Sequence, residues 1–264
     1  MLIRVNGNDI TCGTGGRPLD VTLPSIIFLH GAGMDHTCWM LQARAYAWSG
    51  WSAFAPDLPG HGRSSGTPLT SVKDMAAWIG NLMDAAKIER AALVGHSMGG
   101  AMALEAARLM PDRITHIAVV GSAATIPVSD ALLTSARDTP EKAYGLMTTW
   151  AHSTAARMGG NPTPGLWMTG GSRAIFDQNK PGTLHTDLAA CNVWSTGASA
   201  AASIKCPTLV ITGGRDLMTA PKRGAELAQI IPGAKLVNIP SSGHMIMAEA
   251  PDACLQALRS VIHN

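Results

Sequence analysis

Six short apolar runs, each closed by a small or polar residue, recur along this 264-residue chain at spacings too long for hairpins. They are 25–30 (Ser-Ile-Ile-Phe-Leu-His), 51–55, 92–95, 117–121, 208–212 and 235–239. Their apolar residues are continuous, not alternating, which suits strands covered on both faces and therefore a parallel sheet. Helical stretches near 38–48, 70–87, 98–109, 219–231 and 251–261 fall between them. Strand alternating with helix predicts an α/β architecture with a mostly parallel sheet and helices on both sides. Two further runs, around 2–11 and 17–23, are expected to add an antiparallel edge hairpin. The rhythm breaks from about Pro127 to Ser203, where no clear strand occurs and Gly, Pro, Trp and Met crowd together. This segment reads as a cap inserted into one domain, so that 1–126 and 204–264 form the core and 127–203 the insertion.

The bulk numbers fit one large domain. Apolar residues make up 46% of the chain and charged ones 14%, enough for a deep core and too apolar for disorder. The formal charge is +2, with no basic run and no acidic tail, so neither nucleic acid nor an anionic membrane surface is an expected partner. Five scattered cysteines, Cys12, Cys38, Cys191, Cys206 and Cys254, lack any Cys-x-x-Cys spacing and read as buried thiols in a reducing compartment. The first residues lack a signal-peptide pattern, and no apolar run reaches a membrane span's length. The reading is a soluble, cytoplasmic monomer or homodimer.

The sharpest local feature is Gly95-His96-Ser97-Met98-Gly99-Gly100, a G-x-S-x-G sequence directly after an apolar strand and directly before an Ala/Gly-rich helix. A nucleophile elbow holds its serine in a strained turn, and small residues two places to either side let strand and helix approach. A serine hydroxyl needs a base, and the base an orienting acid. His244, in Ser242-Gly243-His244 between the last strand and the final helix, is the candidate base. Asp216, in Gly213-Gly214-Arg215-Asp216 after the preceding strand, is the candidate acid. All three fall at C-terminal strand ends, where open α/β sheets gather their catalytic groups. The expected oxyanion donors are the backbone N–H groups of Met98 and of Ala32, the latter in the loop His30-Gly31-Ala32-Gly33-Met34.

The other polar residues admit competing readings. Gly31-x-Gly33 makes a poor dinucleotide fingerprint because position 36 is His, where a third glycine is required. Asp57 and His61 could form a second acid-base pair or merely brace a tight loop, and the bracing role is preferred. His30, Asp35 and His36 could suggest a metal, but no zinc helix motif accompanies them, and no metal or cofactor is expected. His96 reads as packing beside the elbow. In the insertion, Met147, Trp150, Met158, Trp167, Met168, Phe176 and Trp194 could line a hydrophobic pocket or simply seal the insertion onto the body. Met147, Trp150, Trp167 and Met245 are the expected substrate contacts.

These segments, together with Asp57-Leu58-Pro59-Gly60-His61-Gly62-Arg63-Ser64, resemble the α/β-hydrolase superfamily, in particular its small bacterial carboxylesterase, enol-lactonase and haloperoxidase-like members. The resemblance implies an eight-stranded sheet with a small cap and a Ser97–Asp216–His244 triad working without a cofactor on a small-molecule ester or lactone. Members that open epoxides or remove halide carry Asp at the nucleophile position, which Ser97 disfavours. The small Ala32 departs from relatives that place a larger side chain there. Ester cleavage is the leading expectation. A lactonase or carbon-carbon bond hydrolase would be favoured by an arginine lining the cap, for which Arg157 and Arg173 are candidates. A non-catalytic ligand receptor is the alternative of another class.

Overall fold

The computed structural model describes residues 1–160 and 166–263. Eight strands form one sheet in the order β1-β2-β4-β3-β5-β6-β7-β8. They are β1 (Leu2–Val5), β2 (Asn8–Gly13), β3 (Ser25–Leu29), β4 (Ser52–Pro56), β5 (Ala91–His96), β6 (Ile114–Val120), β7 (Thr208–Gly213) and β8 (Lys235–Ile239). All pairings from β4 to β8 are parallel, and β1 and β2 are antiparallel at one edge. The continuous apolar runs explain this: every residue of β3, β4, β5 and β7 is buried, as strands covered on both faces must be.

The edge hairpin closes earlier than the sequence reading places it. Asn6 and Gly7 adopt φ of +50° and +81°, the two left-handed residues of a tight hairpin turn whose twist matches the flanking strands. Both strands therefore lie within 2–13. Residues 17–23 form a loop instead, bent where the Asp20 carboxylate accepts from the Thr22 N–H and hydroxyl, a local alternative to strand pairing.

Helices α1 (Met40–Ala47), α2 (Val72–Ala85) and α3 (Met98–Leu109) follow β3, β4 and β5. Between β6 and β7 run α4 (Asp130–Asp138), α5 (Pro140–Ala151), α6 (Thr154–Arg157), α7 (Met168–Asp177), α8 (Thr183–Asn192) and α9 (Gly197–Ala202). The chain ends with α10 (Pro221–Ile230), α11 (Ile246–Glu249) and α12 (Pro251–Arg259). Helices α1 and α12 meet on one face of the sheet, while α2, α3 and α10 cover the other. Residues 161–165, within the expected cap, lie outside the described residues. No strand occurs from 127 to 203 among the described residues. Buried Leu132, Met147, Phe176, Leu184 and Trp194 of this stretch join the same continuous core as the sheet. Trp194 Nε1 also donates to Glu105 on α3, at 2.9 Å. None of the described helices is long and apolar enough to cross a membrane.

Chain order reverses beside β3, with β4 on one side and β5 on the other. The loops leaving β3 and β5 therefore diverge and open a crevice at the C-terminal edge of the sheet, the place where such sheets bind ligands.

Candidate active site

The crevice is built by glycines that a side chain would exclude. A Cβ on Gly95 would lie 2.1 Å from the Gly99 carbonyl oxygen, and one on Gly99 would lie 2.4 Å from that of Leu29. Strand β5, helix α3 and strand β3 can approach this closely only without those atoms. Ser97 sits at their junction with φ +53° and ψ −115°, a conformation that costs a non-glycine residue of order 1–3 kcal/mol and is typical of functional turns. Its N–H donates to the Val120 carbonyl at 2.9 Å, tying the elbow to β6.

His244 and Asp216 meet across the ends of β7 and β8. His244 Nδ1 donates to Asp216 Oδ2 at 2.7 Å, and both side chains are buried. The other carboxylate oxygen accepts the N–H groups of Met218 and Thr219, each at 2.8 Å. Asp216 thus presents a fixed acceptor to the imidazole, which sets the tautomer with Nδ1 protonated. Ser97 and His244 line one cavity of about 200 Å³, which Ala32 and Gly31 also border. The N–H groups of Ala32 and Met98 make no hydrogen bond among the described residues.

The loop carrying Ala32 is held from several directions. Met34 N–H donates to the Gly31 carbonyl at 3.1 Å, closing a turn in which Gly33 takes φ +66°. His30 Nδ1 also donates to the Gly31 carbonyl (2.9 Å), and His30 Nε2 accepts from the Leu58 N–H (3.1 Å). That pattern requires a neutral ring. Burial, aided by the charge of His61, pushes the His30 pKa down to about 4. His96 is neutral for similar reasons: burial and then the neighbouring His244 hold its pKa well below the ordinary imidazole value. Its Nε2 donates to the His244 carbonyl at 3.1 Å, and its ring lies where a Cβ on Gly31 would fall, 2.9 Å from Nδ1. His96 therefore spaces the two loops apart.

Asp57 and His61 do not pair with each other. Asp57 accepts from the His36 backbone N–H and Nδ1, both at 2.7 Å, and from the Arg63 N–H at 3.0 Å. His61 Nε2 donates to Asp187 on α8 at 2.7 Å, and its Nδ1 donates to the Pro59 carbonyl at 3.1 Å. Two acceptors facing one imidazole call for protons on both nitrogens. Burial alone would lower the His61 pKa, but the charge of Asp187 and its hydrogen bond outweigh burial and leave it raised. Asp35, His36 and Asp57 bring three potential ligand atoms within 4.8 Å of one another. Their lone pairs are already engaged, Asp57 with His36 and Arg63 and Asp35 with the Thr37 N–H and hydroxyl. This donor set is a loop brace and a poor fit for a metal.

Of the expected substrate contacts, Met147, Trp150 and Met245 line the cavity. Trp167 does not: it is 75% exposed, with its ring over the backbone of Gly170. Met158 is likewise turned outward, whereas Met168 and Trp194 are buried away from the lining. Phe176 reaches it. The remaining apolar wall comes from Ile126, Val128, Leu132, Leu188, Leu217 and Met218. A signal for four of these was available, since 126–128 follow β6 and 217–218 follow Asp216, on loops at the same sheet edge. Cys191 also lines the cavity. Burial raises its thiol pKa, which leaves it protonated and inert. The other cysteines are likewise free thiols.

A sequence profile of the alpha/beta hydrolase family matches residues 26–257. The enol-lactonase from Burkholderia xenovorans LB400 superposes with a TM-score of 0.89 at 26% identity, covering 98% of both chains. A thermophilic esterase superposes with a TM-score of 0.81 at 28% identity, over 98% of this chain and 95% of the esterase. An epoxide hydrolase of Caballeronia sordidicola is 40% identical over 124 residues, a stretch covering 40% of this chain and only 36% of that protein. With the profile spanning six of the eight strands, β3 to β8, and the helices that cover them, the chain belongs to the alpha/beta hydrolase family.

Proposed function

We propose that this hydrolase cleaves small, uncharged carboxylic esters through an acyl-enzyme on Ser97. One observation carries the reading: Ser97 and the Asp216-bound His244 open into the same cavity, and among the described residues no Asp, Glu, Lys or Arg side chain lines it. In this mechanism His244 Nε2 accepts the Ser97 proton as the hydroxyl oxygen attacks the ester carbonyl. The Ala32 and Met98 N–H groups stabilise the oxyanion, and His244 returns the proton to the departing alkoxide. Water deprotonated by His244 then attacks the acyl-enzyme and frees the acid. Asp216 holds the tautomer and stabilises the imidazolium.

The lining supports the substrate class. An anionic acyl group would enter an apolar cavity without a counter-charge, at a desolvation penalty of several kcal/mol. The two arginines that could have supplied one are elsewhere. Arg173 pairs with Glu141 and Asp177 and lies over the Tyr144 ring, and Arg157 bonds Thr154 on the exposed side of α6. At about 200 Å³ the cavity is smaller than the roughly 300–1,000 Å³ of drug-sized ligand sites, which supports short acyl groups. A lactone is an ester closed on itself, and the similarity to an enol-lactonase favours neutral lactones as a second substrate type. The epoxide-opening chemistry of the partial relative is disfavoured by serine at the nucleophile position.

The test is labelling with a fluorophosphonate together with turnover of 4-nitrophenyl esters and neutral lactones. The wild type is expected to be labelled stoichiometrically and to favour short neutral acyl groups, and Ser97→Ala is expected to lose both properties. An unlabelled wild type that retains a ligand tightly would instead make the fold a receptor.

A further inference from the structure

We propose that Asp187 and Asn179, which belong to the segment between β6 and β7, are positioning residues for the oxyanion loop, holding the peptides beside Ala32 in the orientation that hydrolysis needs. The proposal rests on the serine-hydrolase reading above and adds a requirement to it: the oxyanion hole is complete only when the α7–α8 region is docked on the sheet edge.

Three successive peptide groups run from Gly31 to Met34, and each has at least one polar atom fixed. In the Gly31–Ala32 peptide, the carbonyl accepts from Met34 N–H and from His30 Nδ1. Because N–H and C=O of a trans peptide point in opposite directions, fixing that carbonyl aims the Ala32 N–H the other way. In the Ala32–Gly33 peptide, the Gly33 N–H donates to Asp187 Oδ2 at 2.8 Å. In the next, the Gly33 carbonyl accepts from Asn179 Nδ2 at 2.6 Å. The first anchor comes from the body of the protein. The other two come from residues 154 and 146 positions further along the chain.

Gly33 needs such anchors. Its φ of +66° is accessible to glycine in several alternatives of similar energy, so the loop does not hold this conformation by itself. The space beside it is closed by Phe176 of α7 and Leu184 of α8, which would lie 2.8 and 3.0 Å from an added Cβ. Asp187 is itself immobilised: it is fully buried, and the same Oδ2 accepts from His61 Nε2 at 2.7 Å. His61, protonated on both nitrogens by its two acceptors, supplies the positive charge that a buried carboxylate requires. A carboxylate bond to a backbone N–H is also stronger and shorter than a neutral one. Asp187 is therefore suited to fix the peptide that follows Ala32, while the Ala32 N–H, in the preceding peptide, waits unbonded for a transient oxyanion.

The experiment uses Asn179→Ala, which removes one half-buried anchor, and Asp187→Asn, which keeps the shape but removes the charge. Each is measured for kcat and KM on a neutral aryl ester and for inhibition by phenylboronic acid, which becomes a tetrahedral anion on a reactive serine. Since the loop acts on the transition state, kcat is expected to fall about tenfold for Asn179→Ala and about a hundredfold for Asp187→Asn. KM should stay within twofold, and boronate affinity should weaken by the same factors as kcat/KM. Folded variants that keep kcat and boronate affinity within twofold of the wild type overturn the proposal, as does a loss confined to KM. If Asp187→Asn does not fold, Asn179→Ala decides alone. A wild type that neither reacts with fluorophosphonate nor binds boronate overturns the hydrolase reading itself, and this inference with it. A reactive wild type with unaffected variants overturns only the inference.

Discussion

Replacing Asp216 with Asn isolates the role assigned to the carboxylate, because the two side chains differ by one proton-bearing group and almost nothing in shape. In the native arrangement one carboxylate oxygen takes two backbone N–H groups, from Met218 and Thr219 at 2.8 Å each, and the other takes His244 Nδ1 at 2.7 Å. The Asn amide has two orientations. If its NH2 faced the two N–H donors, two buried hydrogen bonds would be lost, at about 1–3 kcal/mol for each donor left unsatisfied. If its oxygen keeps those donors, the NH2 faces His244 Nδ1, which must then accept, and the ring proton moves to Nε2. The second orientation costs less and leaves His244 with no lone pair for the Ser97 proton. The same exchange in a serine-protease triad lowers turnover by about 10⁴-fold, equivalent to about 5.4 kcal/mol of barrier at about 1.36 kcal/mol per factor of ten. We expect kcat on 4-nitrophenyl acetate to fall by 10³–10⁴-fold and fluorophosphonate labelling to slow in parallel, with the circular dichroism spectrum unchanged. A folded Asp216→Asn protein that retains more than a tenth of wild-type kcat would refute the reasoning that this carboxylate sets the tautomer.

Two further outcomes follow from charge. His30, with its pKa near 4, and His96, held well below the ordinary value, stay neutral in the folded chain, whereas in the unfolded chain they take up protons below about pH 6.5. The unfolded state then binds more protons, so stability falls as pH drops from 6.5 toward 4, by up to about 1.4 kcal/mol per pH unit for each histidine. The raised His61 does not offset this, because below pH 6.5 it is protonated in both states. Urea midpoints at pH 7 and pH 5 check the slope, and equal midpoints would contradict it. Separately, Leu217 borders the cavity yet is 69% exposed, so Leu217→Arg should fold and supply the missing counter-charge. Its kcat/KM for a succinate monoester, relative to the neutral butyrate ester, is expected to rise by about five- to tenfold, the equivalent of about 1–1.4 kcal/mol. An unchanged ratio would argue against the uncharged lining as the source of selectivity.

The parts of this molecule that were legible in the sequence are those whose physics is local. Gly95 and Gly99 mark the elbow because the approach of one strand to one helix demands them two residues either side of Ser97. Strands β3, β5 and β7 announce themselves by continuous apolar runs, since burial on both faces leaves no alternation. The edge hairpin differs from the expectation for a physical reason: the Asn6-Gly7 turn is a local signal too, but the apolar residues at 17–23 mimic a strand that the Asp20–Thr22 bend prevents. Trp167 and Met158 had the composition of pocket residues, yet a side chain's destination in an irregular helical segment depends on how that segment lies on the body, which no periodicity encodes. The same limit governs the anchors of the loop that carries Ala32. Asp187 and Asn179 look like ordinary polar residues on or beside a helix until the fold brings them to Gly33, some 150 positions away. Chemistry common to the family is written in short motifs that each build their own geometry. The features that would separate this hydrolase from its relatives arise where distant segments meet, as where the segment between β6 and β7 holds the backbone of Gly33.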